Sequence, residues 1–303
     1  MNGRIYRVRH QTAYEYASDV LHAHHLLHLV PRPMSWQRCL EHAIDVEPGE
    51  DRRTEFVDAF GNPVTRVEFT QPHRRLAVIS QLRVELQARP AVAVEETLAW
   101  EQVRDGFAYR GRPPGHDVIE AARFRHESPH VRLKRQFADW SEGCFAAGRP
   151  ILAAVSALTA QLHADIDYAP GATAVGTPVT AVLEQRRGVC QDYAHLMIAC
   201  LRSRGLPARY VSGYLRTDAG ALVGATATHA WVAAWCPPCG WVELDPTNGC
   251  LAGNDHLALA WGRDFSDVSP LRGVILGGAE HRLAVDVVVA PEPAGGPDAQ
   301  RTA

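Results

Sequence analysis

Residues 187–207 read RGVCQDYAHLMIACLRSRGLP, and the rest of the chain can be read outward from them. Tyr193, Leu196, Met197, Cys200 and Leu201 recur at the three- and four-residue spacing of one helix face. Gly188 interrupts the chain before this pattern, Gly205 stands where a glycine closes a helix, and Pro207 follows. The spacing predicts a helix from about Cys190 to Arg204. Cys190 then occupies the first turn, where unpaired backbone N–H groups and the positive end of the helix dipole gather. Such groups stabilise negative charge, both on a nucleophilic sulfur and on an oxyanion formed at an attacked carbonyl. Position alone leaves open the ordinary role of a free cysteine, a small buried apolar side chain.

A nucleophilic cysteine needs a base, and the base needs an orienting group. Residues 228–235 and 241–245 read as two strands joined by Cys236-Pro237-Pro238-Cys239-Gly240. If Trp235 faces Trp241, His229 and Asp245 lie on the same sheet face as diagonal neighbours, with Cα atoms roughly 7–8 Å apart. Only an odd-sum register separates them. A carboxylate beside an imidazole fixes its tautomer and stabilises the imidazolium. Each residue alone reads as a core histidine or as a turn aspartate before Pro246. Together with a cysteine at a helix start they point to a catalytic constellation, with ordinary core packing as the alternative.

Strands and helices segregate along the chain, which predicts an α+β fold. The first ninety residues carry short alternating runs, including Ile5–His10, Leu40–Val46, Thr54–Asp58, Val64–Phe69 and Leu76–Leu86, with Gly61-Asn62-Pro63 as a turn. They predict an N-terminal antiparallel β-sandwich-like domain over 1–90. Residues 91–150, rich in Glu, Arg, His and Pro, read as a helical connector. Ile151, Val155, Leu158, Leu162 and Ile166 mark a helix that opens a core over 151–290. Thr177-Pro178 looks like an N-cap with proline at the first helical position, opening a short helix, Val179 to about Gln185. Ala208–Leu215 reads as a strand, and Leu283, Val285, Val287 and Val289 alternate in a last one. Residues 291–303, rich in Pro, Gly and Ala, read as a flexible tail.

The 303 residues carry 31 Lys and Arg against 34 Asp and Glu, a net charge of −3, with 46% apolar side chains. Those proportions suit a globular chain and exclude general disorder. They give no field that would favour nucleic acid or an anionic membrane surface. No apolar run approaches the ~20 residues of a membrane helix, and residues 1–10 lack the apolar stretch of a signal peptide. Seven cysteines, an odd number spread over a long chain, read as reduced thiols rather than a disulfide scaffold. The expected location is cytoplasmic.

Four blocks resemble the bacterial transglutaminase-like superfamily, which includes cysteine proteases and acyltransferases with a papain-like core. They are Arg187-Gly188-Val189-Cys190-Gln191-Asp192-Tyr193-Ala194-His195, Leu206–Tyr214, Thr228-His229-Ala230-Trp231 and Gly240–Asn248. The likeness extends over about 150–275, and Tyr6–Tyr14, Pro31-Arg32 and Asp58–Asn62 resemble the β domain that precedes this core in one bacterial branch. The resemblance implies that Cys190 is the nucleophile, His229 the general base and acid, and Asp245 the orienting group. It implies attack on a peptide or protein carboxamide, a thioester acyl-enzyme, and release to water or to an amine. It implies no cofactor and no metal. Asp192 and His195 belong to the motif and are expected to support the site. Two departures stand out: the Cys236–Gly240 turn, and Thr228 where a serine is usual. The rival readings are a non-catalytic peptide-binding module on the same fold and acyl transfer from a non-amide donor. The sequence does not name a substrate or an oligomeric state.

Cys236 and Cys239 form a CxxC without the further ligands of a zinc site; Cys250 and His256 are the nearest additions, and plain turn thiols are the simpler reading. His22, His24, His25 and His28 crowd seven residues. On a strand, His22, His24 and His28 share a face, and no thiol or carboxylate beside them completes a metal site. Arg52-Arg53 and Arg74-Arg75 read as solvated surface. Trp231, Trp235 and Trp241 read as hairpin core, with one of them available to shape an acyl pocket.

Overall fold

A computed structural model describes residues 3–108, 111, 115–217, 222–224 and 227–292. Five strands come first: β1 (Arg4–Leu27), β2 (Gln37–Glu47), β3 (Arg52–Val57), β4 (Pro63–Phe69) and β5 (His73–Leu86). The helices α1 (Trp100–Asp105), α2 (His116–Ala122), α3 (Arg135–Trp140) and α4 (Ile151–Asp165) follow. Then come β6 (Asp167–Tyr168), α5 (Val179–Gln185), β7 (Arg187–Gly188) and α6 (Cys190–Ser203). The chain continues through β8 (Ala208–Leu215), β9 (His229–Trp235), β10 (Trp241–Asp245), β11 (Cys250–Leu251) and β12 (His256–Gly262). It ends with α7 (Phe265–Val268), β13 (Leu271–Gly277) and β14 (His281–Pro291). Among the described residues no helix is long and apolar enough to cross a membrane.

The architecture is α+β, with two main antiparallel sheets. The first is a curled sheet in the order β2-β5-β1-β4-β3, with β13 and β14 also paired to β1. Its organiser is β1, 24 residues long where the sequence predicts only Ile5–His10. Tyr6, Val8, His10 and Thr12 are buried on one face, and the register slips between Glu15 and Val20. The slip bends the strand, so its first half pairs with β5 and β14 and its second with β4 and β13. Polar Glu15, Ser18 and Asp19 at the bend hide this continuity from a reading of alternation.

The second sheet has the order β11-β10-β9-β8-β12 and carries α6 on one face. Residues from Asp192 to Arg202 of this helix are all buried, because α3, α4 and α5 cover the side away from the sheet. The predicted apolar stripe is real but understates how deeply the helix sits. β12 is an edge strand, and the N-terminal region satisfies its outer backbone. The Gln37 amide accepts from Ala258 N at 2.9 Å and donates to Ala258 O at 2.7 Å. The Asn62 amide does the same for Trp261, at 3.0 and 2.9 Å. Two side-chain amides thus close an edge that would otherwise offer unpaired N–H and C=O groups.

Four sequence expectations need correction here. The strand at Leu283–Val289, assigned to the 151–290 core, is β14 and lies against β1, as does β13, which sequence alternation did not reveal. Residues 91–150 are not a mere connector: Val103, Val131, Phe137, Cys144 and Phe145 are buried in the same cluster as α4 and α6. The expected cap at Thr177 falls one residue later, at Pro178, while Thr177 Oγ1 accepts from Ala174 N at 3.0 Å. Of the expected tail, Pro291 ends β14 and Glu292 pairs with Arg7 and Arg83 at 2.9 and 2.8 Å. The remainder, 293–303, lies outside the described residues.

Candidate active site

Cys190 opens α6 and is half-buried. Its position is fixed by Asp192, whose carboxylate accepts from the Val189 N–H at 2.8 Å and from Thr173 Oγ1 at 2.6 Å. This satisfies a donor that the first turn leaves free. Burial raises the Asp192 carboxyl above its usual range, and those two hydrogen bonds pull against it. Gly188 is required: a Cβ there would stand 2.7 Å from Asp192 Cβ and Oδ2. His195, one turn on, is buried, accepts from Phe265 N at 3.2 Å and stacks on His130. Burial drives it well below the usual histidine range, consistent with an acceptor. Asp192 and His195 therefore hold the helix.

Of the registers the hairpin sequence leaves open, the structure takes the one with Trp241 opposite Trp235. His229 and Asp245 are consequently diagonal neighbours on one face, and His229 Nε2 donates to Asp245 Oδ2 at 2.8 Å. Both side chains are wholly buried. Burial disfavours charge on His229, but the Asp245 carboxylate outweighs it and holds the imidazole well above its usual range, with Cys190 contributing by hydrogen bond. Burial alone would raise Asp245, whereas the His229 charge and two imidazole hydrogen bonds hold it below. Nδ1 of His229 is buried and free of nitrogen or oxygen partners. The Cys190 side chain lies against this imidazole, so the structure brings Cys190, His229 and Asp245 together.

Five neighbours complete the setting, and the sequence did not single out their roles. His256 Nε2 donates to the same Asp245 oxygen at 3.1 Å, while its Nδ1 accepts from Gly253 N at 3.2 Å. The backbone donor fixes the tautomer, leaving the proton on Nε2. His256 had stood out only as a possible metal ligand; its tie to Asp245 is tertiary and leaves no spacing signal. Asn248 donates to Asp245 from its backbone and from its side chain, at 3.2 and 2.7 Å, and accepts from Val223 N at 2.8 Å. It thereby ties residue 223 to the site, and a Cβ on adjacent Gly224 would come 2.8 Å from His229 Nδ1. Trp231 packs edge-on against His256, donates to Glu243 at 2.8 Å, and lies against Gly213, where any Cβ would strike its ring. Tyr168 and Tyr210 both lie close enough to Cys190 to feel its charge, and burial raises both phenols.

The other candidates lie elsewhere. Cys236 is buried in the hairpin turn and Cys239 is exposed; both are free thiols. Among the described residues no group of three or more His, Cys, Asp or Glu is arranged to hold a metal. The histidine cluster does not present the face expected of it. His22 and His24 are exposed, whereas His25 and His28 are buried, His28 beyond the end of β1 with Nδ1 at 3.0 Å from Ser269 O.

Residues 6–85 match the family described as the bacterial transglutaminase-like N-terminal region, and residues 138–246 match the transglutaminase-like superfamily. An uncharacterized protein of Mycobacterium tuberculosis is 34% identical over 297 residues, covering 93% of this chain and 92% of that protein. A protein-glutamine gamma-glutamyltransferase of Pseudomonas aeruginosa is 35% identical over 103 residues, which are 30% of this chain and 15% of that protein. The crystal structure of a "putative cysteine protease" from Cytophaga hutchinsonii superposes with a TM-score of 0.74 at 20% identity. That match covers 100% of this chain and 93% of the other, and it is a likeness of fold.

Proposed function

The chain belongs to the transglutaminase-like superfamily, and from that premise we propose that it is a cysteine-nucleophile acyltransferase or amide hydrolase acting on a peptide or protein carboxamide. The observation that carries the reading is the placement of Cys190 at the start of α6 against an imidazole whose far nitrogen is held by Asp245 at 2.8 Å.

The chemistry follows from that placement. The His229–Asp245 pair favours imidazolium, so His229 takes the Cys190 proton as the sulfur attacks the carboxamide carbon. The oxyanion formed there meets the Cys190 backbone N–H at the helix start. His229 returns its proton to the departing amine, the C–N bond breaks, and a thioester remains on Cys190. Water or an amine then adds to the thioester, losing its proton to His229, and the C–S bond breaks to give acid or new amide. His256 and Asn248 take no part in bond making; they keep the Asp245 carboxylate aimed at His229.

The test is alkylation of Cys190 by iodoacetamide from about pH 5 to pH 9, mapped by peptide mass, in wild type and His229→Ala. Selective labelling of Cys190 below neutrality, lost in His229→Ala, is expected. Equal rates at all accessible thiols in both proteins would sink the reading. Ammonia release from a glutamine-containing peptide, with and without a primary amine, then separates hydrolysis from transfer.

A further inference from the structure

At the end of the hairpin away from His229, a cavity of about 540 Å³ opens between the second sheet, α2 and the Phe60-Gly61 turn. Its size falls in the range of small-molecule sites. Six residues of β9 separate His229 from Trp235 at its rim, about 20 Å of strand, so it is not part of the site around Cys190. Trp235, Trp241 and Phe60 give it flat apolar walls, and Arg209 lines it from β8.

Arg209 is a buried cation that, among the described residues, is in direct contact with no carboxylate; Glu120 and Glu243 act on it only from a distance. Only 8% of it is exposed. Its guanidinium carbon lies 3.7 Å from the centre of the Trp241 ring and 4.3 Å from that of Trp261. Among the described residues none of its nitrogens takes a hydrogen bond or an ion pair, and Nε is fully enclosed. Arg202, also buried and near the end of α6, gives its two terminal nitrogens four acceptors. The carboxylates near Arg209 are engaged elsewhere: Glu120 with Arg123 at 2.8 Å, and Glu243 with Arg89 at 2.6 Å. Arg32 stacks on the same Trp261 ring and adds like charge. Burial first, and then the repulsion of Arg32, lowers the Arg209 guanidinium to about 9. Aromatic faces offset part of the cost of burying such a charge, but they leave its planar fork of donors unused.

We propose that this cavity binds a small ligand bearing a carboxylate or phosphate on a flat apolar body, with the anionic group seated on the terminal nitrogens of Arg209. The fork geometry matches two oxygens of either group, and the tryptophan walls take the body.

Calorimetry on the full chain, with phenyl phosphate, benzoate and neutral benzyl alcohol as probes, tests this. Both anions should bind saturably, with Kd of ~1 mM or tighter. Benzyl alcohol should bind at least tenfold more weakly, and inorganic phosphate should compete with both anions. Arg209→Met should weaken anion binding at least tenfold while Cys190 alkylation keeps its wild-type rate. No saturable binding by wild type, or equal binding of benzyl alcohol and the anions, would overturn the proposal. So would undiminished binding by folded Arg209→Met. Because a buried side chain is being replaced, wild-type crystals soaked in phenyl phosphate give a second reading. Phosphate on Arg209 supports the site, and phosphate elsewhere or none refutes it.

Discussion

The two ends of the β9–β10 hairpin handle buried charge in opposite ways. At one end Asp245 is wholly buried and accepts from His229, His256, the Asn248 amide and the backbone of Thr247 and Asn248. At the other, Arg209 is almost as buried and, among the described residues, is met by aromatic faces and by no hydrogen-bond acceptor. Asp245 lies on β10 and Arg209 on β8 beside the turn end of the hairpin, but the sheet is the same and the burial is similar, so the difference lies in the partners. Where a carboxylate is saturated with donors, its charge becomes a fixed element of the structure that can orient an imidazole. Where a guanidinium is unsaturated, the charge stays available to whatever enters the cavity. Each end can be tested by removing its charge.

The largest effect is expected at Asp245. Asp245→Ala leaves two imidazoles facing a hole and should cost about 3–5 kcal/mol in urea unfolding, as expected for breaking a buried ion pair. Asp245→Asn should retain more of the fold yet lose roughly 10⁴-fold in turnover, because an amide cannot stabilise the imidazolium. The pH dependence follows from the signs. The Asp245 carboxyl is lowered in the folded state, so its contribution is full above the unfolded value of about 4 and is lost as pH falls below it. The His229 imidazole is raised, so its contribution is full below about 6.5 and is lost as pH rises from there through the folded value. Wild-type stability minus that of Asp245→Ala should therefore be greatest between these limits. It should shrink by up to about 1.4 kcal/mol per pH unit on either side. A difference independent of pH would mean that the pair does not titrate as drawn.

What could be read in advance was local. The α6 boundaries follow from one apolar stripe and a glycine, and the hairpin sequence limits the register to a few choices, of which the structure takes Trp241 opposite Trp235. That register alone set His229 and Asp245 on one face. What could not be read was tertiary. His256 reaches Asp245 from a different strand, and no sequence offset encodes that meeting. β13, with the sequence LRGVILG, has no clean alternation because most of it is exposed, and its pairing with β1 spans the whole chain. The histidines at 22–28 read as solvated or packed side chains of the N-terminal sheet, and they are. The strand that carries His22, His24 and His25, however, is the continuation of β1, which sequence alternation ends at His10. Arg209 sits in a motif-like stretch, Leu206–Tyr214, yet nothing in the sequence says that its charge lacks a partner.

A smaller effect, and a sharper one, is expected at His256. His256→Leu removes one of the donors to Asp245 Oδ2 and should cost about 1–3 kcal/mol. Because that hydrogen bond helps keep the Asp245 carboxyl low, its loss should move the acid limb of kcat/KM to higher pH. Glutamine can reproduce both ends of the histidine's role, its carbonyl accepting from Gly253 N and its amide donating to Asp245. His256→Gln should therefore restore the acid limb and most of the stability. If both variants lose stability while the limb stays in place, His256 only fills space, and the saturation of Asp245 is not what aims His229.

The smallest effect on stability is expected at Arg209, despite burial close to that of Asp245. Replacing Asp245 strands its partners, whereas Arg209 has none to strand. Arg209→Met removes a desolvated charge that is compensated only by cation–π contact, worth about 0.5–2 kcal/mol, and leaves a side chain that can lie between the same rings. The two terms oppose each other, and the net change in urea unfolding should stay within about 1 kcal/mol in either direction. A loss as large as that of Asp245→Ala would show that the guanidinium is a structural keystone with donors already in use, and the contrast between the two ends of the hairpin would vanish. A near-neutral result, with anion binding lost, would separate the two roles: a charge built into the frame at one end, and a charge held for a ligand at the other.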